Sequence, residues 1–173
     1  STDLYGGTVS LFTHTLSKLG IEVRYADPAD PKNFEKAIDD KTRAFYGETL
    51  PNPYLRVFPI KEVSDIGRKY NIPLIMDNTA SPVLCKPLEH GAAIVVYSLT
   101  KYIGGHGTVV GGALIDGGNF DWTADPKRQP LFNEPDASYG GAVWGKVVPE
   151  LTGANVSFAV RARVVLLRDL GAA

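Results

Sequence analysis

Four residues stand at a spacing that suits covalent chemistry on a small anionic ligand: Ser98, Thr100 and Lys101, with Asp77 placed 24 residues before the lysine. Asp77 directly follows the apolar run Ile72-Pro73-Leu74-Ile75-Met76, and Ser98-Leu99-Thr100-Lys101 directly follows Ile94-Val95-Val96-Tyr97. Such runs read as strands covered on both faces, and in open α/β sheets ligands gather at the carboxyl ends of strands. A carboxylate leaving a buried strand is costly unless it meets a cation or several donors. A protonated pyridine nitrogen is such a cation, and the pairing would preserve the ring's capacity to take up carbanion charge. Hydroxyls at alternate positions past a strand can both face one phosphate. A lysine beside them can form an imine with a carbonyl on the same ligand, if desolvation and nearby cationic character keep its amine neutral. Gly104-Gly105-His106-Gly107 then allows close backbone approach. Each part has a plainer reading: Asp77 as the cap of the turn Asp77-Asn78-Thr79, and Lys101 as a solvated turn lysine. Two chemically matched strand ends, one strand apart, favour a cofactor site over that pair of coincidences.

The elements that must position these residues alternate between helix and strand. Leu11, Phe12, Thr15, Leu16 and Leu19 recur at helical spacing, with Gly20 placed to end the helix. Residues 21–25 read as a short strand. Asp30-Pro31 reads as an N-cap followed by a proline at the first helical position, opening a helix through Phe34 and Ile38. Residues 43–47 form the next strand, and Ile60, Val63, Ile66, Gly67 and Tyr70 mark an amphipathic helix with Pro59 near its start. Strands follow at 72–76, 92–97 and 109–115. Strands separated by helices imply an α/β domain with a largely parallel sheet. Residues 117–153, rich in Gly, Pro, Asp and aromatics and without a sustained period, read as an extended surface or active-site excursion. A long helix is predicted from Ala154 to Gly171 through Val156, Val160, Val164 and Leu167.

Composition narrows the classes. A length of 173 residues fits one domain with a real core. A net charge of −1 gives no electrostatic reason for a nucleic-acid or anionic-membrane partner. No apolar run approaches the length of a membrane span, and the first residues lack the basic and apolar regions of a signal peptide. Cys85, the one cysteine, precludes an intrachain disulfide framework and is compatible with a reducing cytoplasm. It reads as a small buried residue. His106, in its glycine loop, reads as structural, and neither His14 nor His90 has metal-ligand spacing, so no metal is expected. No strand is followed by Gly-x-Gly-x-x-Gly or a Walker-type loop, which disfavours a nucleotide-binding module.

Several segments resemble the Cys/Met-metabolism family of fold-type I enzymes that use pyridoxal 5′-phosphate (PLP). They are Asp3-Leu4-Tyr5-Gly6-Gly7-Thr8, Glu48-Thr49-Leu50-Pro51-Asn52-Pro53, Asp77-Asn78-Thr79 and Ser98-Leu99-Thr100-Lys101-Tyr102-Ile103-Gly104-Gly105-His106-Gly107. Leu84-Cys85-Lys86-Pro87-Leu88-Glu89-His90-Gly91-Ala92, Asp116-Gly117-Gly118-Asn119-Phe120-Asp121-Trp122 and the run from Arg161 to Ala173 extend the likeness over the whole chain. The resemblance implies a three-layer α/β fold, the aspartate aminotransferase-like large domain of PLP-dependent transferases. Residues 1–173 would be its central part, without an N-terminal segment and a C-terminal substrate domain; the missing initiator Met points the same way. It further implies that Tyr5 stacks on the pyridine ring and assists proton movement, and that Asn52 lies beside the ring hydroxyl. Asp77 would pair with the ring nitrogen, Ser98 and Thr100 would hold phosphate, and Lys101 would carry the cofactor as a Schiff base and shuttle protons. Read from the residues alone, Tyr5 serves equally as a packed aromatic and Asn52 as a turn former.

Within the family the likeness points to the sulfhydrylase branch. That branch carries out γ-replacement on O-acetylhomoserine with sulfide or a small thiol, giving homocysteine (or methionine) and acetate. Cystathionine γ-synthase or methionine γ-lyase chemistry, or an inactive fragment, remain the alternatives. The implied partners are the amino-acid substrate, the sulfur donor and further copies of the chain, as a dimer of dimers. Leu99 stands where relatives often carry Ala or Thr, Tyr97 where they carry His, and the proline of the 48–53 segment is one position off some versions. These departures leave the cofactor residues intact and blur the substrate branch.

Overall fold

The computed structural model describes residues 1–171. Four strands form one sheet in the order β1 (Phe45–Glu48), β2 (Leu74–Asp77), β3 (Ile94–Ser98), β4 (Gly112–Asp116). The first three are parallel, and β4 runs antiparallel to β3. The helices are α1 (Gly6–Ser10), α2 (Lys32–Lys36), α3 (Ile60–Lys69), α4 (Pro130–Asn133), α5 (Trp144–Thr152) and α6 (Ser157–Ala162). α1 continues through a π-helical turn, Leu11–Thr15, and a 3₁₀ turn, Leu16–Leu19, and α6 through a π-helical stretch, Arg163–Asp169.

Because successive strand residues point to opposite faces, the sheet feeds two cores. Phe45, Leu74 and Met76 pack with Phe34 of α2 and with Ile60 and Val63 of α3. Ile75, Ile94 and Val96 pack on the other face with Phe120, Trp122, Phe132, Trp144 and Val148. Helices therefore cover both faces, as expected for three layers. Burying a side chain of this size contributes about 1.5–3 kcal/mol, so the wholly buried Val63, Met76 and Ile94 anchor their elements.

α3 shows how local sequence sets these positions. Ile60, Val63 and Gly67 share its buried face, while Glu62 in the first turn and Arg68 and Lys69 in the last suit the helix dipole. Gly67 admits the chain that returns to β2: a Cβ there would sit 2.4 Å from the carbonyl oxygen of Ile72. The Ile72 amide donates to the Gly67 carbonyl at 2.8 Å. Helix end and strand start are thereby fastened together, and an alanine at 67 would push them apart.

Four expectations need correction. Residues 21–25 form no strand; among the described residues β1 has a strand ladder only with β2, and 21–24 face Phe45 and Tyr46 across a groove of about 610 Å³. A strand needs a partner ladder, and none reaches this segment among the described residues. The 117–153 region is not an excursion, for it supplies Phe120, Trp122, Phe132, Trp144 and Val148 to the second core. Trp122 lies 4.5 Å from Phe132 and 5.3 Å from Phe158, centroid to centroid, within the range of favourable aromatic pairs. The predicted 109–115 strand begins only at Gly112. α2 starts at Lys32, one residue later than read, and its amide donates to the Asp30 carboxylate at 3.0 Å.

Candidate active site

The carboxyl ends of β1, β2 and β3 open onto a cavity of about 810 Å³. Glu48, Asp77, Thr79, Ser98 and Lys101 line it from the strands and the turns that follow, and Tyr5, Leu50, Asn52 and Pro53 from facing loops. Strand pleat explains the convergence. Glu48 is in register with Asp77, and Asp77 with Val96, so these carboxylates share the face of the second core and stand above it.

Asp77 is held at one oxygen. Its Oδ1 accepts the Thr79 amide at 2.9 Å, the turn-capping contact that the sequence allowed. Its Oδ2 has the Tyr46 hydroxyl as a long donor at 3.4 Å, which leaves acceptor capacity toward the cavity. The turn is braced from behind by the fully buried Asn78. Asn78 donates its backbone amide to the Val96 carbonyl and its side-chain amide to the Cys85 carbonyl and the Tyr97 hydroxyl, and it accepts the Ser81 hydroxyl.

Thr79 links the second strand end to the third. Its hydroxyl accepts the Ser98 amide at 2.7 Å, which fixes the start of the lysine turn relative to Asp77. Beyond Ser98 the chain closes into a tight loop. Leu99 donates to Gly111, Gly104 to Leu99, and Gly105 to Lys101, at 2.9, 2.8 and 2.8 Å. The loop needs its glycines: a Cβ at Gly104 would lie 2.6 Å from the Leu99 carbonyl oxygen, and Gly105 has φ +70°. Lys101 projects from this loop, exposed. The ion pairs among the described residues all lie elsewhere, so its ammonium has no carboxylate partner.

Of the six residues singled out in the sequence, Tyr5, Asn52, Asp77, Ser98 and Lys101 line one cavity. Thr100 does not. Its hydroxyl accepts the Gly111 amide at 3.0 Å and lies 3.3 Å from the Gly111 carbonyl, tying the lysine loop to the start of β4.

Sequence reasoning missed Tyr46, Glu48 and Thr79. Glu48 is nearly buried and accepts the Tyr5 amide at 2.8 Å. Burial pushes its carboxyl above the ordinary range, nearby Asp77 adds to the rise, and the Tyr5 and Asn52 amides and the Thr8 hydroxyl oppose it. The Tyr46 phenol is pushed up by burial first and by Asp77 and Glu48 next, so it stays protonated and able to donate. The signal for Glu48 was present: like Asp77, it is a carboxylate at the end of a strand.

Residues 1–159 match the family of Cys/Met metabolism PLP-dependent enzymes. The chain belongs to that family. It is 52% identical over its full length to O-acetyl-L-homoserine sulfhydrylase of Leptospira meyeri and 44% identical, over 99% of the chain, to the enzyme of that name from Corynebacterium glutamicum. These alignments cover 40% and 39% of those relatives, so the chain spans about 40% of their length. The crystal structure of an O-acetylhomoserine (thiol)-lyase of Campylobacter jejuni, with N′-pyridoxyl-lysine-5′-monophosphate, is 38% identical. It superposes with a TM-score of 0.88 over 99% of this chain and 41% of its own. A cystathionine γ-lyase structure from Lactobacillus plantarum matches 67% of the chain and 31% of its own, with a TM-score of 0.65 and 37% identity. The expected fold is thereby borne out: an α/β domain of the fold-type I PLP enzymes, its mostly parallel sheet flanked by helices.

The cavity suits the family's cofactor. It offers a carboxylate with free acceptor capacity for a ring nitrogen, an unpaired amine for a carbonyl carbon and an aromatic ring for stacking. It also offers the Ser98 hydroxyl, which has no hydrogen-bond partner among the described residues, for a phosphate.

Proposed function

We propose that this chain supplies the cofactor-binding centre of a PLP-dependent enzyme performing γ-replacement on O-acetylhomoserine. Sulfide or a small thiol is the incoming nucleophile, and homocysteine (or methionine) and acetate are the products. The observation that carries the reading is the convergence of Lys101 and Asp77 on one cavity from successive parallel strands. The relatives' names support the sulfhydrylase branch, and the lyase structure's smaller coverage and lower TM-score weigh against the elimination branch.

When bound, PLP supplies an electron sink for charge released at the substrate's carbons. The protein's own residues do the rest. Asp77 holds the ring through its nitrogen, Tyr5 covers its face, Asn52 lies at its hydroxyl, and Ser98 and Thr100 serve the phosphate. For Thr100 that role needs its Gly111 contact to be shared or exchanged. Lys101 holds the cofactor covalently at rest. Once displaced by substrate, its amine would take the α-proton, hand it on, and only then take a β-proton as acetate leaves from Cγ. The same amine would return protons to Cβ and Cα after the sulfur nucleophile has added at Cγ. Tyr5, whose half-exposed phenol borders the same cavity, assists proton movement.

Residues 1–173 form, on this reading, the central part of a larger PLP-binding domain, a view supported by the 40% of the sulfhydrylase's length that they cover. The working protein is a cytoplasmic homo-oligomer, a dimer of dimers; the single cysteine among these 173 residues is in keeping with a reducing compartment. Steady-state assays of the intact gene product test the branch. Homocysteine formed from O-acetylhomoserine and sulfide supports it, and strong cystathionine cleavage without sulfide incorporation overturns it.

A further inference from the structure

The Tyr5 and Asn52 segments reach the cavity from different parts of the chain, and neither is part of the sheet. Something must hold the Tyr5 loop against the strand ends. Glu48 is the strand residue bonded to it. Its Oε1 accepts the Tyr5 amide at 2.8 Å across 43 positions of sequence, and Glu48 and Asn52 line the same cavity. Glu48 is itself fixed, being the last residue of β1, in register with Asp77 and nearly buried. Tyr5 is also the residue from which α1 starts, with no side-chain cap of its own. The glutamate acceptor thus satisfies an amide that would otherwise be left open at the helix entry.

Resting on the PLP reading above, we propose that Glu48 is a positioning residue. One strand-borne carboxylate latches the Tyr5 loop in the place from which Tyr5 would contact the cofactor. Reach matters more than charge here. The side chain must extend from the end of β1 to the Tyr5 amide, a distance that glutamate and glutamine span and aspartate, one methylene shorter, does not.

Two variants separate reach from charge. Glu48→Gln keeps an acceptor of the right length without the charge; Glu48→Asp keeps the charge and loses the reach. Amide hydrogen exchange at Tyr5 in the cofactor-free protein reads the latch directly, and absorbance titration with PLP reads its effect on the site. Protection and PLP affinity should both fall in the order wild type, Gln, Asp. Loss of a charge-assisted hydrogen bond should raise Tyr5 exchange about tenfold or more in the Asp variant. The proposal is overturned if the Asp variant protects Tyr5 as wild type does, or if Gln protects no better than Asp. Should wild type itself bind no PLP while the exchange order holds, the cofactor reading fails and the latch stands.

Discussion

Glu48 and Asp77 are register partners at the carboxyl ends of adjacent parallel strands, and both carboxylates border the same cavity. They are not equivalent. Glu48 is spent on the Tyr5 amide, whereas Asp77 keeps one oxygen lightly engaged, with a hydroxyl at 3.4 Å. Two carboxylates side by side are thus differently engaged: one is taken up by protein, and the other keeps acceptor capacity toward the cavity, where the proposed ligand would sit.

Asp77→Asn tests the ligand-facing task. Asparagine can still accept the Thr79 amide, so the turn should persist and thermal melting should be nearly unchanged. The charge that would face the proposed ring nitrogen is lost, and a charge-assisted hydrogen bond is worth about 1.5–3 kcal/mol. PLP affinity, read by absorbance titration, should fall on the order of 10- to 100-fold. Unchanged affinity would leave Asp77 with only its turn-capping role.

Thr79→Val removes the acceptor of the Ser98 amide while keeping the side chain's shape. An amide left without a partner at a part-buried site costs about 1–3 kcal/mol. Urea unfolding should show a loss in that range, and Thr79→Ser should recover most of it. If valine is tolerated without loss, the link between the two strand ends is not structural.

Gly7→Ala separates stability from site geometry. A Cβ at Gly7 would lie 2.7 Å from Cε1 of Tyr5, so the half-exposed ring must move aside. Alanine is the better helix residue by about 1 kcal/mol, and Gly7 lies in α1. The variant should melt at or above the wild-type temperature and yet bind PLP more weakly. Wild-type binding would show that the Tyr5 ring position is immaterial.

Glu48 gives a pH signature. Its folded-state pKa is raised above the ordinary 4.5, by burial first. The folded protein therefore binds more protons than the unfolded chain, and this group's stabilising contribution is full below about 4.5 and is lost as pH rises through the raised value. Glu48→Gln cannot titrate. The stability of the Gln variant relative to wild type should increase from pH 4 toward neutrality in urea melts. A constant or falling difference would contradict the burial of this carboxyl.

Much of the fold was legible where one element carries its own pattern. α3 announced itself through Ile60, Val63 and Gly67, and β2 and β3 through short apolar runs. Residues 21–25 misled because strand propensity is local and strand formation needs a partner. The second core was missed because its aromatics arrive singly, Trp122 from a loop, Phe132 from a four-residue helix and Trp144 from the next, too briefly for any period to show. In the site, Asp77, Ser98 and Lys101 were visible because each directly follows a buried run. Thr79 was not, since its importance lies in a bond to Ser98, 19 positions away, which only strand pairing creates. Thr100 was read as facing a ligand, and its contact with Gly111 depends on where β4 begins.

Covalent capture tests the central claim most directly. The protein is incubated with PLP, reduced with borohydride, digested and mapped by mass spectrometry. A pyridoxyl group on Lys101, with no such adduct elsewhere and none in Lys101→Ala, is the predicted result. An adduct mainly on another lysine, or an unmodified Lys101, would contradict the assignment of this cavity as the cofactor's site.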